Sequence, residues 1–186
     1  MRRSLLLIAV LGASLVPCVA ATDGVPPGWL LAGSQPQNYR TGSDANGTAF
    51  LQSKPDAKAT GFGTLMQSFK ADEFVGKRMR FRAAVRSEDV TGWAGLWMRV
   101  DQGTRPVAFD NMQSRAIKGT TGWTTYDVVL DVPADATGIA FGALMDSSGG
   151  IWIRDVSFGP VGLDVPTTEV PVSRAPAKPV NLDFRQ

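Results

Sequence analysis

The residues best equipped for chemistry lie in one stretch, Gly92 to Gln113, which reads GWAGLWMRVDQGTRPVAFDNMQ. Alternate positions separate two surfaces. Ala94, Leu96, Met98 and Val100 form an apolar row of the kind a strand turns toward a core. Trp93, Gly95, Trp97, Arg99 and Asp101 form the opposite row, where a solvated strand would carry small polar side chains. After a turn at Gly103 the chain returns through Val107, Phe109, Asn111 and Gln113, so the stretch predicts a long β-hairpin. Aromatic rings stack on the apolar faces of pyranoses, while Arg, Asp, Asn and Gln read hydroxyl groups. The candidate ligand-binding residues are therefore Trp93, Trp97, Arg99, Asp110, Asn111 and Gln113. The same row would equally suit packing beneath a loop or a second layer, and alternation alone leaves both readings open.

Catalytic chemistry has few carriers. The chain has no histidine, which excludes Ser-His-Asp and Cys-His nucleophiles and His-ligated zinc or iron. A two-carboxylate glycosidase needs only acids, and Asp101, Asp110 and Asp146 are its candidates. Nothing in their spacing marks a pair, and aspartates in such places ordinarily serve turns and rims. A non-enzymatic domain is the expectation.

The elements that must position these residues begin after a leader. Arg2 and Arg3 precede an apolar run, Leu5 to Val16, too short to span a bilayer comfortably, and small residues follow. Residues 1–21 thus read as a secretory signal peptide, which predicts a secreted, periplasmic protein with no transmembrane segment once cleaved. Cys18 after Pro17 leaves a lipoprotein signal as the alternative. Cys18 is the one cysteine, so the mature chain is expected to lack disulfides. Without Arg2 and Arg3, the 19 basic residues fall to 17, equal to the 17 acidic ones. Nucleic-acid binders carry a basic excess, and no nucleic-acid partner is expected.

Residues 22–160 are expected to form one domain, followed by a Pro-rich tail over residues 161–186. Strands are predicted at Gly28–Gly33, Tyr39–Gly42, Thr48–Ser53, Phe62–Phe69, Lys77–Ser87, the hairpin, Trp123–Val132, Ile139–Met145 and Ile151–Phe158, with a turn at Lys118–Gly122. Within the tail, Val180–Phe184 is the segment with apolar content to dock. In KRMRFRAAVRS, Met79, Phe81, Ala83 and Val85 oppose Arg78, Arg80, Arg82 and Arg86. Asp127 and Asp131 on a neighbouring strand would pair with those arginines. Small residues at Gly95, Ala140 and Gly142 would leave a groove beside the rings if their strands share a sheet. The fold class is all-β, an antiparallel β-sandwich or jelly roll of about nine strands, with no long amphipathic helix.

The opening GWLLAG, the later WTTYDVVLDVP and the closing GGIWIRDVSF resemble galactose-binding-like jelly rolls, a group that includes many carbohydrate-binding modules. The resemblance spans roughly Gly28 to Phe158. It implies a ligand on the concave sheet, which would carry Trp93, Trp97, Arg99, Asn111 and Gln113. No cofactor is expected from the residues themselves; the resemblance leaves open a structural calcium at Asp155. Members often show two aspartates before Val-Ser, and here Arg154 replaces the first. The strings GWAGLWMRVD, FDNMQ and IKGTT are similar to small bacterial proteins labelled AraC-type transcriptional regulators, a label that implies a helix-turn-helix. No helical pair that would form one is legible. Together these readings predict a secreted, non-catalytic domain that binds carbohydrate or a related polar ligand. The alternative is a structural or protein-interaction β-sandwich of the cell envelope with an envelope protein as partner; a glycan-active enzyme comes third.

Overall fold

The computed structural model describes residues 21–57 and 60–168. Among them are ten strands: β1 (Thr22–Asp23), β2 (Leu30–Gly33), β3 (Tyr39–Ser43), β4 (Ala49–Ser53), β5 (Phe62–Lys70), β6 (Arg78–Gln102), β7 (Arg105–Asp110), β8 (Ile117–Asp131), β9 (Gly138–Asp146) and β10 (Gly150–Val161). Every pairing is antiparallel. Two short 3-10 turns, Pro36–Asn38 and Gln113–Arg115, are the only helical turns among the described residues. No helix there is long and apolar enough to cross a membrane. The all-β antiparallel sandwich expected from the strand pattern is the fold. Residues 1–20 of the predicted leader, Cys18 among them, and the Val180–Phe184 segment lie outside the described residues.

The fold is organised by β6, whose 25 residues belong to both layers. Its first half lies between β10 and β8, and its second half between β9 and β7. One layer is thus ordered β1-β3-β4-β10-β6-β8, the other β2-β5-β9-β6-β7. A strand this long cannot stay flat in one sheet, and its register with β8 shifts three times between Val85 and Ala94. Asp89, at φ 51, marks the bend. The buried Ser87 hydroxyl donates to the Gly119 carbonyl and bonds the Thr121 hydroxyl, so the crossing leaves it satisfied.

This corrects two boundaries. The separate strands expected at Lys77–Ser87 and from Gly92 onward are one bulged strand. The turn expected at Lys118–Gly122 is instead part of β8, kinked at Gly119 with φ 65. The Gly-Thr-rich composition there accommodates bulges as readily as turns.

Both apolar rows of β6 face the same core, because the strand swings from one layer to the other. Met79, Phe81, Ala83 and Val85 are buried in it, as are Ala94, Leu96, Met98 and Val100. Leu51, Val128, Leu130, Ile139, Met145 and Ile151 complete the centre. Phe81 stacks on Phe141 of the opposite layer with centroids 4.4 Å apart. Each large side chain removed from water this way contributes about 1.5–3 kcal/mol.

The arginine row is occupied by its neighbours. Arg78 and Arg82 stand opposite Asp131 and Asp127, and each guanidinium donates twice to its carboxylate. Those hydrogen bonds hold both aspartates below the usual carboxylate range. Arg86 stacks 3.7 Å above Trp152, and Arg154 lies 4.2 Å above Trp123. Past β10 the chain follows the outer edge of β8. Arg78 donates to the carbonyls of Leu163 and Val165, the Thr168 amide donates to the Val129 carbonyl, and the Val129 amide donates to the Thr168 hydroxyl.

Candidate functional site

The second layer turns one face to the core and the other to a cleft of about 580 Å³. Strand alternation decides which residues line it. In β9, Ile139, Phe141, Ala143 and Met145 enter the core, so Leu144 and Asp146 face outward into the cleft. Register then brings non-local residues alongside. Phe62 of β5, Asp146 of β9 and Trp93 of β6 form one cross-strand row. Thr64, Leu144 and Gly95 form the next, then Met66, Gly142 and Trp97. Ala32 and Gly33 of β2 close one side; Arg99, Phe109 and Asn111 close the other.

Trp93, Trp97, Arg99 and Asn111 are therefore brought together as expected. Their roles differ. Trp97 is only 8% exposed and packs among Ala140, Leu144, Met66, Trp93 and Phe109. Its indole nitrogen donates to the Thr64 hydroxyl at 2.7 Å, and that hydroxyl donates to the Ala143 carbonyl at 3.0 Å. Trp97 is the floor, with its polar atom already satisfied. Trp93 is half-buried and forms the wall. Arg99 is exposed, and its Nε donates to Asp101 at 3.0 Å.

Two residues of the predicted set stand elsewhere. Phe109 faces the cleft, so its neighbour Asp110 faces inward and is fully buried. Its carboxylate accepts from Arg115 at 2.6 and 3.2 Å and from the Met112 amide at 2.8 Å. Asp110 holds the loop rather than touching a ligand. Gln113 lies beyond the end of β7, exposed in a 3-10 turn outside the cleft lining, and its amide donates to the Asn111 side-chain oxygen. The hairpin return ends at Asp110 because Met112 adopts the left-handed conformation, φ 61. The Leu96 amide, left without a strand partner on that side, donates to the Met112 sulfur at 3.3 Å.

The expected groove at the small residues is filled. A Cβ on Gly95 would stand 2.9 Å from the Asn111 carbonyl, and one on Gly142 would stand 2.3 Å from the Leu65 carbonyl. These glycines admit backbone rather than ligand. Open space lies beside them, over Thr64 and Leu144.

The candidate acids do not converge. Asp101 and Asp146 are opposite Gly138 and Trp93, so eight residues of β9, roughly 27 Å, separate their rows. A glycosidase pair needs about 5–10 Å. Asp155 sits at an exposed bulge of β10 with φ 54, 3.4 Å from Arg154. Among the described residues no group of three or more carboxylate, cysteine or histidine side chains gathers as a metal site would require.

The cleft residues that sequence reasoning missed are Ala32, Gly33, Phe62, Thr64, Met66, Phe109 and Leu144, with Asp146 considered only as an acid. Phe62, Thr64 and Met66 do alternate with the buried Leu65, but the pairing of β5 with β9 that makes them part of this site is non-local.

One end of the cleft is braced by Tyr39. Its hydroxyl donates to the Gly61 and Ser147 carbonyls at 2.8 and 2.9 Å. Burial, reinforced by the nearby Asp146 charge, pushes its ionisation above the ordinary tyrosine range. The Ser147 hydroxyl donates to Asp146 Oδ1 at 3.1 Å.

No protein-family model matches the chain. Over 167 residues it is 38% identical to an uncharacterized HTH-type transcriptional regulator, YbfP, of Bacillus subtilis (strain 168). That match covers 86% of this chain and 57% of the relative, so the chain spans a little over half of the relative's length. Among solved structures, the apo form of a cyclase from Fischerella sp. superposes with a TM-score of 0.51 at 14% identity, covering 80% of this chain and 91% of that one. At that identity the likeness concerns the fold alone. A carbohydrate-binding module, CBM4, aligns at a TM-score of 0.49 and 16% identity over 72% of this chain and 86% of its own.

Proposed function

We propose that this chain is a non-catalytic binding domain, exported to the periplasm, that holds a saccharide or related polar ligand in the cleft of its second layer. On this reading its kinship is with the galactose-binding-like jelly rolls. The observation that carries the reading is Trp93, half-buried on the cleft wall with Arg99, Asn111 and Asp146 as the polar groups around an apolar floor. A ring at the wall supplies a stacking platform, and flanking side chains supply hydroxyl recognition.

Titration of the chain with soluble glycans, followed by tryptophan fluorescence, tests the reading. A saturable shift is expected, lost in Trp93→Ala and retained in Trp97→Phe. A shift that persists unchanged in Trp93→Ala would place the ligand elsewhere and refute the site.

A second reading, a protein-interaction sandwich, is favoured by the outer face of the first layer. Trp123 is 36% exposed there, beside the stacked Arg86, Trp152 and Arg154. Unchanged fluorescence with every glycan, together with a partner protein whose capture requires Trp123, would support it.

A further inference from the structure

Within the proposed cleft, and resting on that proposal, we infer that the end formed by Phe62, Asp146 and Trp93 is a subsite for an ammonium group, so that the preferred saccharide carries a free amine. The three residues are direct cross-strand neighbours on β5, β9 and β6, and all three line the cleft. Side chains in such a row start about 4.5–5.5 Å apart. The row thereby sets a carboxylate between two aromatic residues, which offers one cationic group both a charge-assisted hydrogen bond and cation–π attraction.

The charge balance of the cleft points the same way. Its charged lining residues are Arg99 and Asp146. Arg99 is engaged by Asp101 at 3.0 Å, whereas no arginine or lysine among the described residues lies within ion-pair distance of Asp146. Asp146 spends one oxygen on the Ser147 hydroxyl. Arg99 is opposite Ala140, six residues of β9 from Asp146, so the two charges are separated by roughly 20 Å of strand. Between them the floor consists of Leu144, Met66 and Trp97, with the Trp97 and Thr64 donors already committed. Selectivity must therefore reside at the ends, and the Asp146 end selects a cation.

Calorimetric titration with four probes tests this: the tetramer of glucosamine, the tetramer of N-acetylglucosamine, cellotetraose, and tetramethylammonium. The glucosamine tetramer is expected to bind at least about tenfold more tightly than either neutral tetramer. Asp146→Asn should erase that preference, bringing the glucosamine tetramer to the affinity the same variant shows for the neutral tetramers. Phe62→Leu, at a partly exposed position, should reduce the preference several-fold, providing a check if Asp146→Asn fails to fold. Equal affinity for the three tetramers would overturn the ammonium subsite and leave the saccharide reading standing. Tetramethylammonium binding as tightly as the glucosamine tetramer, and dependent on Asp146, would uphold the subsite and overturn the saccharide reading. No binding of any probe would overturn both.

Discussion

Asp110 offers the sharpest stability test, because the structure moves it from the ligand set to the frame. Replacing it with alanine removes a fully buried carboxylate that accepts three hydrogen bonds, two from Arg115 and one from the Met112 amide. Breaking a buried pair by deleting one partner typically costs about 3–5 kcal/mol. Arg115 is 35% exposed and keeps its bond to the Asp127 carbonyl, so part of its charge rehydrates and the lower end applies, about 3 kcal/mol. For a domain of this size that lowers the melting temperature by roughly 6–12 °C. Denaturant unfolding gives the free energy and calorimetry the midpoint. Asp110→Asn, which can still accept from Met112, should lose less than Asp110→Ala. A loss below about 1 kcal/mol for the alanine variant would refute the claim that Asp110 holds the loop carrying Asn111.

Acid should loosen the arginine face. Asp127 and Asp131 have folded values below their unfolded ones, so their contribution is present above about pH 4 and is lost as pH falls through the lowered values. Asp127→Asn combined with Asp131→Asn should therefore flatten the acid limb of a stability–pH curve recorded by circular dichroism. Tyr39 runs the other way: its raised value means stability is intact below about pH 10 and falls as pH rises beyond it. Tyr39→Phe should cost about 1–3 kcal/mol by taking the hydroxyl donor from the Ser147 carbonyl, while the Gly61 carbonyl keeps the Ser147 amide, and should remove that alkaline dependence. Gly142→Ala places a methyl 2.3 Å from the Leu65 carbonyl, and the resulting strand separation should cost about 1–3 kcal/mol in urea unfolding. Trp97→Phe loses the bond to Thr64 and should cost about 1 kcal/mol.

What was legible in the sequence was whatever depends on alternation along one strand. Met79 to Val85 and Ala94 to Val100 announce their buried faces by period alone, and the structure buries them. The pairing of Arg78 and Arg82 with Asp131 and Asp127 was legible too, because two complementary charged rows admit few registers. The continuity of β6 was not. Nothing in Glu88 to Thr91 distinguishes a break from a bulge, since both tolerate a left-handed residue such as Asp89.

The site was half legible for the same reason. Trp93, Trp97 and Arg99 share a face within one strand, so the period finds them; Phe62, Met66 and Leu144 join them only through the β5–β9–β6 pairing, which no local pattern encodes. Parity also explains the error at Asp110. Sequence reading grouped it with Asn111 as a polar pair, yet adjacent residues on a strand face opposite ways, and the cleft already had Phe109. One of the two neighbours had to be buried. A carboxylate takes that position only where a cation and a backbone donor meet it, and Arg115 and Met112 supply both from the turn that follows. The polar cluster that resembles a ligand set in the linear sequence is thus divided by the pleat. Asn111 lines the cleft, while the buried Asp110 anchors the loop that carries it.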